Sequence, residues 1–148
     1  MTTVSFMELA LDEARKAQAA GEVPIGCVVV HDGKVIGRGG NRTIADRDPT
    51  AHAEIIAIRE AARTLGSERL TGCDLYVTLE PCAMCAGAIS FARIRRLYYG
   101  ASDPKGGAVD QGVRFFSSPT CHHRPEVYGA VGESAAAALL QDFFRARR

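Results

Sequence analysis

Two short motifs hold the residues best suited to chemistry: His52-Ala53-Glu54 and, about thirty positions later, Pro81-Cys82-Ala83-Met84-Cys85. One imidazole and two thiolates suit Zn²⁺. Three protein ligands leave one tetrahedral position open, and an open position is where water becomes a nucleophile. Cys82 and Cys85 are three apart, a spacing that puts both sulfurs on one face of a helix's first turn. Helix N-termini carry partial positive charge and free N–H groups, which favour thiolate over thiol. His52 lies at the start of another predicted helix. Two thiolates and a neutral imidazole give a formally neutral centre that can still draw the pKa of water down toward about 7. Glu54 follows His52 too closely to ligate the same ion. It can stand beside the reacting water instead, as general base and then general acid. The pattern predicts a metal-dependent hydrolytic enzyme.

Other readings of these residues exist. Cys82 and Cys85 could form a redox pair, which leaves His52 and Glu54 without a purpose. A structural zinc site in a non-catalytic interaction module would need a fourth ligand, and Cys27, Cys73, Cys121, His122 and His123 are available. Structural sites usually show paired ligand spacings on both sides, which this chain lacks. Cys27 and Cys73 fall within predicted strands and read as small core residues. His31 reads as a surface residue beside a turn, and His122-His123 as a loop pair.

The elements that must position these groups follow from periodicity and punctuation. Ser5 and Glu8 have capping-box spacing. Phe6, Leu9, Ala10, Ala14 and Ala17 then recur at helical spacing until Gly21. Ile25 to His31 reads as a buried strand, Asp32-Gly33 as a hairpin turn, and Lys34 to Gly39 as the returning strand. A helix is predicted from about Ala51 to Thr64, ending near Gly66. Cys73 to Leu79 alternates as a strand. Pro81 fits the first turn of the next helix, which runs to about Ala92. Arg96 to Gly100 is strand-like, and 101 to 126 reads as a long irregular loop, a length that suggests function. Val127 to Val131 reads as a short strand and Ser134 to Arg147 as a helix. Strands alternating with helices predict an α/β layered domain, with helices covering a mixed sheet.

Composition sets the frame. A chain of 148 residues reads as one domain, 1–148, with no repeat or linker inside it. That length can bury a core without disulfides. Five cysteines are an odd number, and Met1 to Ser5 shows no basic-then-apolar export signal. Metal binding and buried thiols in a reducing cytoplasm are therefore expected over a disulfide framework. No apolar run is long enough for a membrane span, so no membrane partner is expected. The net charge of +1 decides little, but fifteen Arg stand against three Lys, and Arg suits bidentate phosphate contacts and base stacking. Two clusters, Arg93/Arg95/Arg96 and Arg145/Arg147/Arg148, read equally well as a solvated face and a charged tail.

The H-x-E and P-C-x-x-C pair is also the signature of zinc nucleobase deaminases. The chain resembles the cytidine deaminase-like superfamily, and within it most closely the bacterial tRNA-specific adenosine deaminases. The resemblance runs nearly end to end, through Glu22-Val23-Pro24-Ile25-Gly26, Asn41-Arg42, Asp48-Pro49-Thr50-Ala51-His52-Ala53-Glu54, Tyr76 to Cys82, Met84 to Ile89, Tyr99-Gly100-Ala101 and Asp142-Phe143-Phe144-Arg145. It implies a three-layer α/β/α sandwich around a mixed sheet of about five strands, and hydrolytic deamination of adenosine to inosine at the wobble position of a tRNA anticodon. It also implies a homodimer with one Zn²⁺ per subunit, held by His52, Cys82 and Cys85. Glu54 would protonate purine N1 and then the leaving amine, while activated water attacks C6. Val23, Ile25 and Pro81 would line the base pocket, the Ala53 backbone would read the base edge, and Asn41 would hydrogen-bond the nucleotide. Asp103, Lys105, Phe144 and Arg147 would contact the tRNA anticodon stem-loop.

Three positions depart from that family's pattern: Gly40 stands where Trp is common, Gly106 where Thr is common, and His122 where Asn is common. Deamination of a free base or nucleoside (guanine, cytosine or cytidine) on the same zinc core is the alternative, and residues at the metal do not separate the two.

Overall fold

The computed structural model describes residues 5–147, so Met1–Val4 and Arg148, the last member of the C-terminal arginine cluster, lie outside the described residues. The elements are α1 (Phe6–Ala19), β1 (Gly26–His31), β2 (Lys34–Gly40), α2 (Ala53–Leu65), β3 (Asp74–Leu79), α3 (Ala83–Phe91), β4 (Arg96–Ala101), β5 (Glu126–Tyr128) and α4 (Glu133–Ala146), with a short 3₁₀ turn at Phe115–Ser117. The strands form one sheet in the order β2-β1-β3-β4-β5. β1 runs antiparallel to both β2 and β3, whereas β3, β4 and β5 are mutually parallel. The Asp32-Gly33 turn makes the antiparallel hairpin, and α3 supplies the crossover that a parallel β3–β4 pair requires.

Alternation along the strands divides the core in two. Cys27, Val29, Leu75, Val77, Leu97 and Tyr99 point to one face, where they meet Ala53, Ala57 and Ala61 of α2 and Ala86 and Ile89 of α3. Val28, Val30, Tyr76 and Tyr98 point to the other, against Met7, Ala10 and Leu11 of α1 and Ala136 of α4. The result is the expected three-layer α/β/α sandwich. β1 is covered on both faces, which is why it reads as an unbroken apolar run.

At the sheet's far end two cross-strand rows fix the parallel register. Tyr76, Tyr98 and Tyr128 stack with ring centroids 4.3 Å and 5.0 Å apart. Beside them Arg96 lies 3.9 Å from Asp74 and 3.0 Å from Glu126. Arg95 also pairs with Asp74, at 3.1 Å. Two members of the Arg93/Arg95/Arg96 cluster are thus engaged in ion pairs where β3 and β4 begin, whereas Cys82 follows the end of β3.

α2 lies directly on β2. A Cβ at Gly37 would come within 2.2 Å of the Ala57 carbonyl oxygen and 2.8 Å of the Ala61 nitrogen, both backbone atoms with no rotamer to relax. Gly37→Ala is expected to lower Tm by roughly 3–10 °C, the range for an overpacked core in a chain of this size. A thermal melt followed by circular dichroism checks this, and an unchanged Tm would show that α2 can lift off without loss.

Three local expectations fail. Ser5 caps α1 with its carbonyl, which accepts from Glu8 and Leu9 N–H at 3.0 Å and 3.4 Å, and its side chain makes no cap bond. Pro81 stays outside α3, because Cys82 is the N-cap and the Pro81 carbonyl is used by Ala108 N–H at 2.9 Å. The last strand closes at Tyr128 instead of Val131, whose N–H turns back to the Tyr99 carbonyl at 3.0 Å.

Candidate metal centre and the cleft beside it

His52 is the N-cap of α2 and Cys82 the N-cap of α3. The His52 side chain makes no cap bond to the first-turn N–H groups as a Ser or Asp cap would, so its ring stays available to a ligand. Cys85 sits one turn into α3 and is fully buried. The two helices cover the same sheet face, which brings their N-termini together. His52 Nδ1 lies 3.7 Å from Cys82 Sγ and 3.5 Å from Cys85 Sγ. All three ligand atoms lie within 4.8 Å of one another. Zn–S bonds of about 2.3 Å and Zn–N bonds of about 2.0–2.1 Å at tetrahedral angles give S···N edges of about 3.6 Å. The donor set and its spacing therefore fit Zn²⁺.

The electrostatics point the same way. The hydrogen bond from the Cys85 thiol lowers Cys82 to about 5, and N–H groups of Cys85 and Met84 at the start of α3 add to it. The same bond, with burial, pushes Cys85 up. Glu54, two residues into α2 and 4% exposed, is raised to about 7 by burial, its own backbone N–H opposing and the Cys82 charge adding. A carboxyl balanced near neutrality can both take and return a proton.

No fourth protein ligand joins the cluster among the described residues. Cys27 and Cys73 are fully buried, as expected of small core residues, although Cys73 lies just before β3 and not within it. Cys121 lies 3.5 Å from the Ser90 hydroxyl. His122 is exposed, while His123 Nε2 donates to the Ile94 carbonyl at 2.7 Å. That pair, with Arg124 bonded to the Phe116 and Ser118 carbonyls, ties down the long loop.

The remaining predicted residues fall into two groups. Val23, Asp103, Lys105 and Phe144 line one cleft of about 870 Å³, with Leu79, Ser102, Gly106 and Leu140. Pro81 and Ala53 are buried beside the metal ligands and Ile25 is half-buried. Asn41 is buried, with its N–H on the Ile25 carbonyl at 3.1 Å, and the next residue, Arg42, bonds Ala51 just before His52. Arg147 does not line the cleft. Its guanidinium stacks 4.2 Å from the Phe143 ring centre and donates to the Gly21 carbonyl at 3.0 Å, clamping α4 to the segment before Val23. Asp103 builds its own turn, Oδ1 accepting from Lys105 and Gly106 N–H at 3.1 Å and 3.0 Å. At Gly40 a Cβ would stand 2.9 Å from the Glu13 carbonyl and 3.0 Å from Ala17 Cβ, so α1 occupies space a larger residue would need.

Residues 1–101 match the family described as the cytidine and deoxycytidylate deaminase zinc-binding region. The chain belongs to this zinc-dependent deaminase family. A curated relative from Agrobacterium fabrum, named tRNA-specific adenosine deaminase, is 68% identical over 143 residues, covering 97% of this chain and 94% of its own. A structure from studies of A-to-I editing by tRNA:A34 deaminases at the wobble position of transfer RNA superposes with a TM-score of 0.90 at 69% identity, over 91% of this chain and 98% of that one. A guanine deaminase from Nitrosomonas europaea superposes with a TM-score of 0.81 at 26% identity, over 93% and 81%. The deaminase fold thus spans enzymes with different substrates, and the protein is a zinc hydrolase of that family.

Two buried carboxylates beside the predicted site residues carry no signal of their own in the sequence. Glu22 and Glu80 are each 2% exposed. Glu22 accepts from Ile44 and Ala45 N–H at 3.3 Å and 2.7 Å, fixing the loop after Asn41. Glu80 does the same for the loop lining the cleft. Only their closeness to Val23 and Cys82 could have signalled them.

Proposed function

We propose that the protein converts adenosine to inosine at the wobble position of a tRNA anticodon, acting in the cytoplasm as a homodimer. The observation that carries this is 68% identity, over nearly the full length of both chains, to a relative named for that activity.

Bound by His52, Cys82 and Cys85, Zn²⁺ supplies the Lewis acidity that lets water act as a nucleophile at neutral pH. Glu54 takes a proton from that water and delivers it to purine N1, which makes C6 electrophilic. It then carries the second proton to the C6 amine. Water oxygen bonds C6, the C6–N bond breaks, and ammonia leaves. Val23, Ile25 and Pro81 enclose the base, the Ala53 backbone reads its edge, and Asn41 holds the nucleotide with a side-chain amide that bonds no other described residue. A base in a hairpin loop is already unpaired, so turning it into this pocket costs little. Lys105 suits the phosphates and Phe144, 51% exposed, a stacked base. The Arg147 clamp keeps Phe144 at the rim. Met84 and Phe91 leave apolar surface exposed on α3, where a second subunit would cover it. No described helix is long and apolar enough to cross a membrane.

The test is turnover of an anticodon stem-loop carrying adenosine at the wobble position, set against free adenosine, guanine and cytidine, with inosine read by mass spectrometry. Inosine is expected in the hairpin alone. Turnover of free guanine or cytidine with an inert hairpin would establish the free-base alternative.

A further inference from the structure

We infer that Glu80 is a positioning residue: its buried carboxylate holds the cleft loop 103–111 in the shape that receives substrate. The inference deepens the reading above and rests on it for the identity of that substrate.

Glu80 lies at the end of β3, two residues before Cys82. Its Oε1 accepts from Asp103 N–H at 3.0 Å. Its Oε2 accepts from Val109, Asp110 and Gln111 N–H at 3.1 Å, 2.8 Å and 3.0 Å. Four backbone donors from both ends of one loop thus converge on a single anion. No Lys or Arg among the described residues pairs with it, so convergent N–H dipoles alone compensate the charge. The grip extends to either side of the carboxylate. Glu80 N–H donates to the Ala101 carbonyl and the Pro81 carbonyl accepts from Ala108, both at 2.9 Å. The loop is shaped around the group in turn. A Cβ at Gly107 would lie 2.6 Å from the Glu80 carboxyl carbon and 2.6 Å from the Asp103 carbonyl oxygen.

This wiring has a directional consequence. The loop carries Asp103, Lys105 and Gly106 to the cleft, and Glu80 ties it to the peptide that leads into Cys82. A glutamine at position 80 can keep an oxygen toward Val109, Asp110 and Gln111, but its NH₂ then faces the Asp103 N–H, donor against donor. Glu80→Gln therefore frees the cleft-facing end of the loop and leaves the rest tied.

With the anticodon stem-loop as substrate, Glu80→Gln is expected to raise KM about tenfold, the scale of one lost hydrogen bond to a charged group. It should keep zinc at one per chain and kcat within about threefold. Gly107→Ala should reproduce the KM change, while Glu126→Gln, at the far end of the sheet, should not. An unchanged KM in Glu80→Gln, or loss of zinc or of kcat at constant KM, would overturn the inference, because Glu80 would then serve the metal helix or nothing. Hydrogen exchange on the unmodified protein tests the same idea without substrate or mutation. Val109, Asp110 and Gln111 amides should be protected like those of β3. Exchange as fast as at exposed loop amides would overturn it, whatever the RNA assay gives. An inert hairpin with protected amides would instead remove the substrate reading and leave the carboxylate hub standing.

Discussion

Glu54→Ala is expected to keep one zinc per chain and lower kcat on the RNA hairpin by roughly 10³–10⁴-fold, the upper part of the range for a lost general acid–base. Glu54 does not belong to the ligand cluster, so its loss removes proton transfer and leaves the ion's donors intact. It is 4% exposed and raised to about 7, so its ionised form is held against the cost of burial. Removing it should not lower Tm, since a desolvated carboxylate works against folding. Glu54→Gln, with the same shape and no proton to exchange, should match the alanine variant in rate. Metal analysis, a thermal melt and single-turnover kinetics check the three parts. Activity within tenfold of the parent, or zinc lost in parallel with activity, would show that Glu54 is not the proton carrier.

The metal cluster was legible because its chemistry is local. His52 with Glu54 and Cys82 with Cys85 are near neighbours on helix starts, and a spacing of two or three residues constrains where such side chains can go. β3 was legible because its apolar residues alternate, β1 because burial on both faces leaves an unbroken apolar run, and the hairpin because Asp32-Gly33 suits a tight turn. Legibility stopped where partners are distant. Glu80 bonds amides 23 to 31 residues away, and backbone amides carry no residue type to search for. The segment it orders therefore read as irregular. The Arg147 contacts were hidden for the same reason: the fold returns α4 to Gly21, whose carbonyl and the nearby Phe143 ring take the guanidinium. The Ser5–Glu8 spacing predicted a side-chain cap where the Ser5 backbone carbonyl does the work.

Cys85→Ala should separate the metal from the fold. Two ligands remain, and the loss in zinc affinity should exceed the 10–100-fold typical of removing an outer-shell partner. The purified variant is expected to carry under about a tenth of a zinc per chain, with no measurable deamination. It should nonetheless stay folded at 25 °C with a lowered Tm. Ala53, Ala57 and Ala61 hold α2 on the sheet, and Ala86 and Ile89 hold α3, without help from the ion. What frays is the start of α3, where Cys82 would lose the Cys85 thiol as its hydrogen-bond donor. Chelation of the unmodified protein should mimic this state, and added Zn²⁺ should restore activity there but not in Cys85→Ala. Cys121→Ala provides the contrast, because Cys121 is buried among α3 and the long loop and lies outside the ligand cluster. A zinc-replete, active Cys85→Ala would remove Cys85 from the donor set. A variant unfolded at 25 °C would mean that the ion, and not the packed alanine faces, holds α2 and α3 on the sheet. Set beside Glu54→Ala, which keeps zinc and loses the rate, Cys85→Ala loses both, and only a metal-dependent proton-transfer site yields that pair.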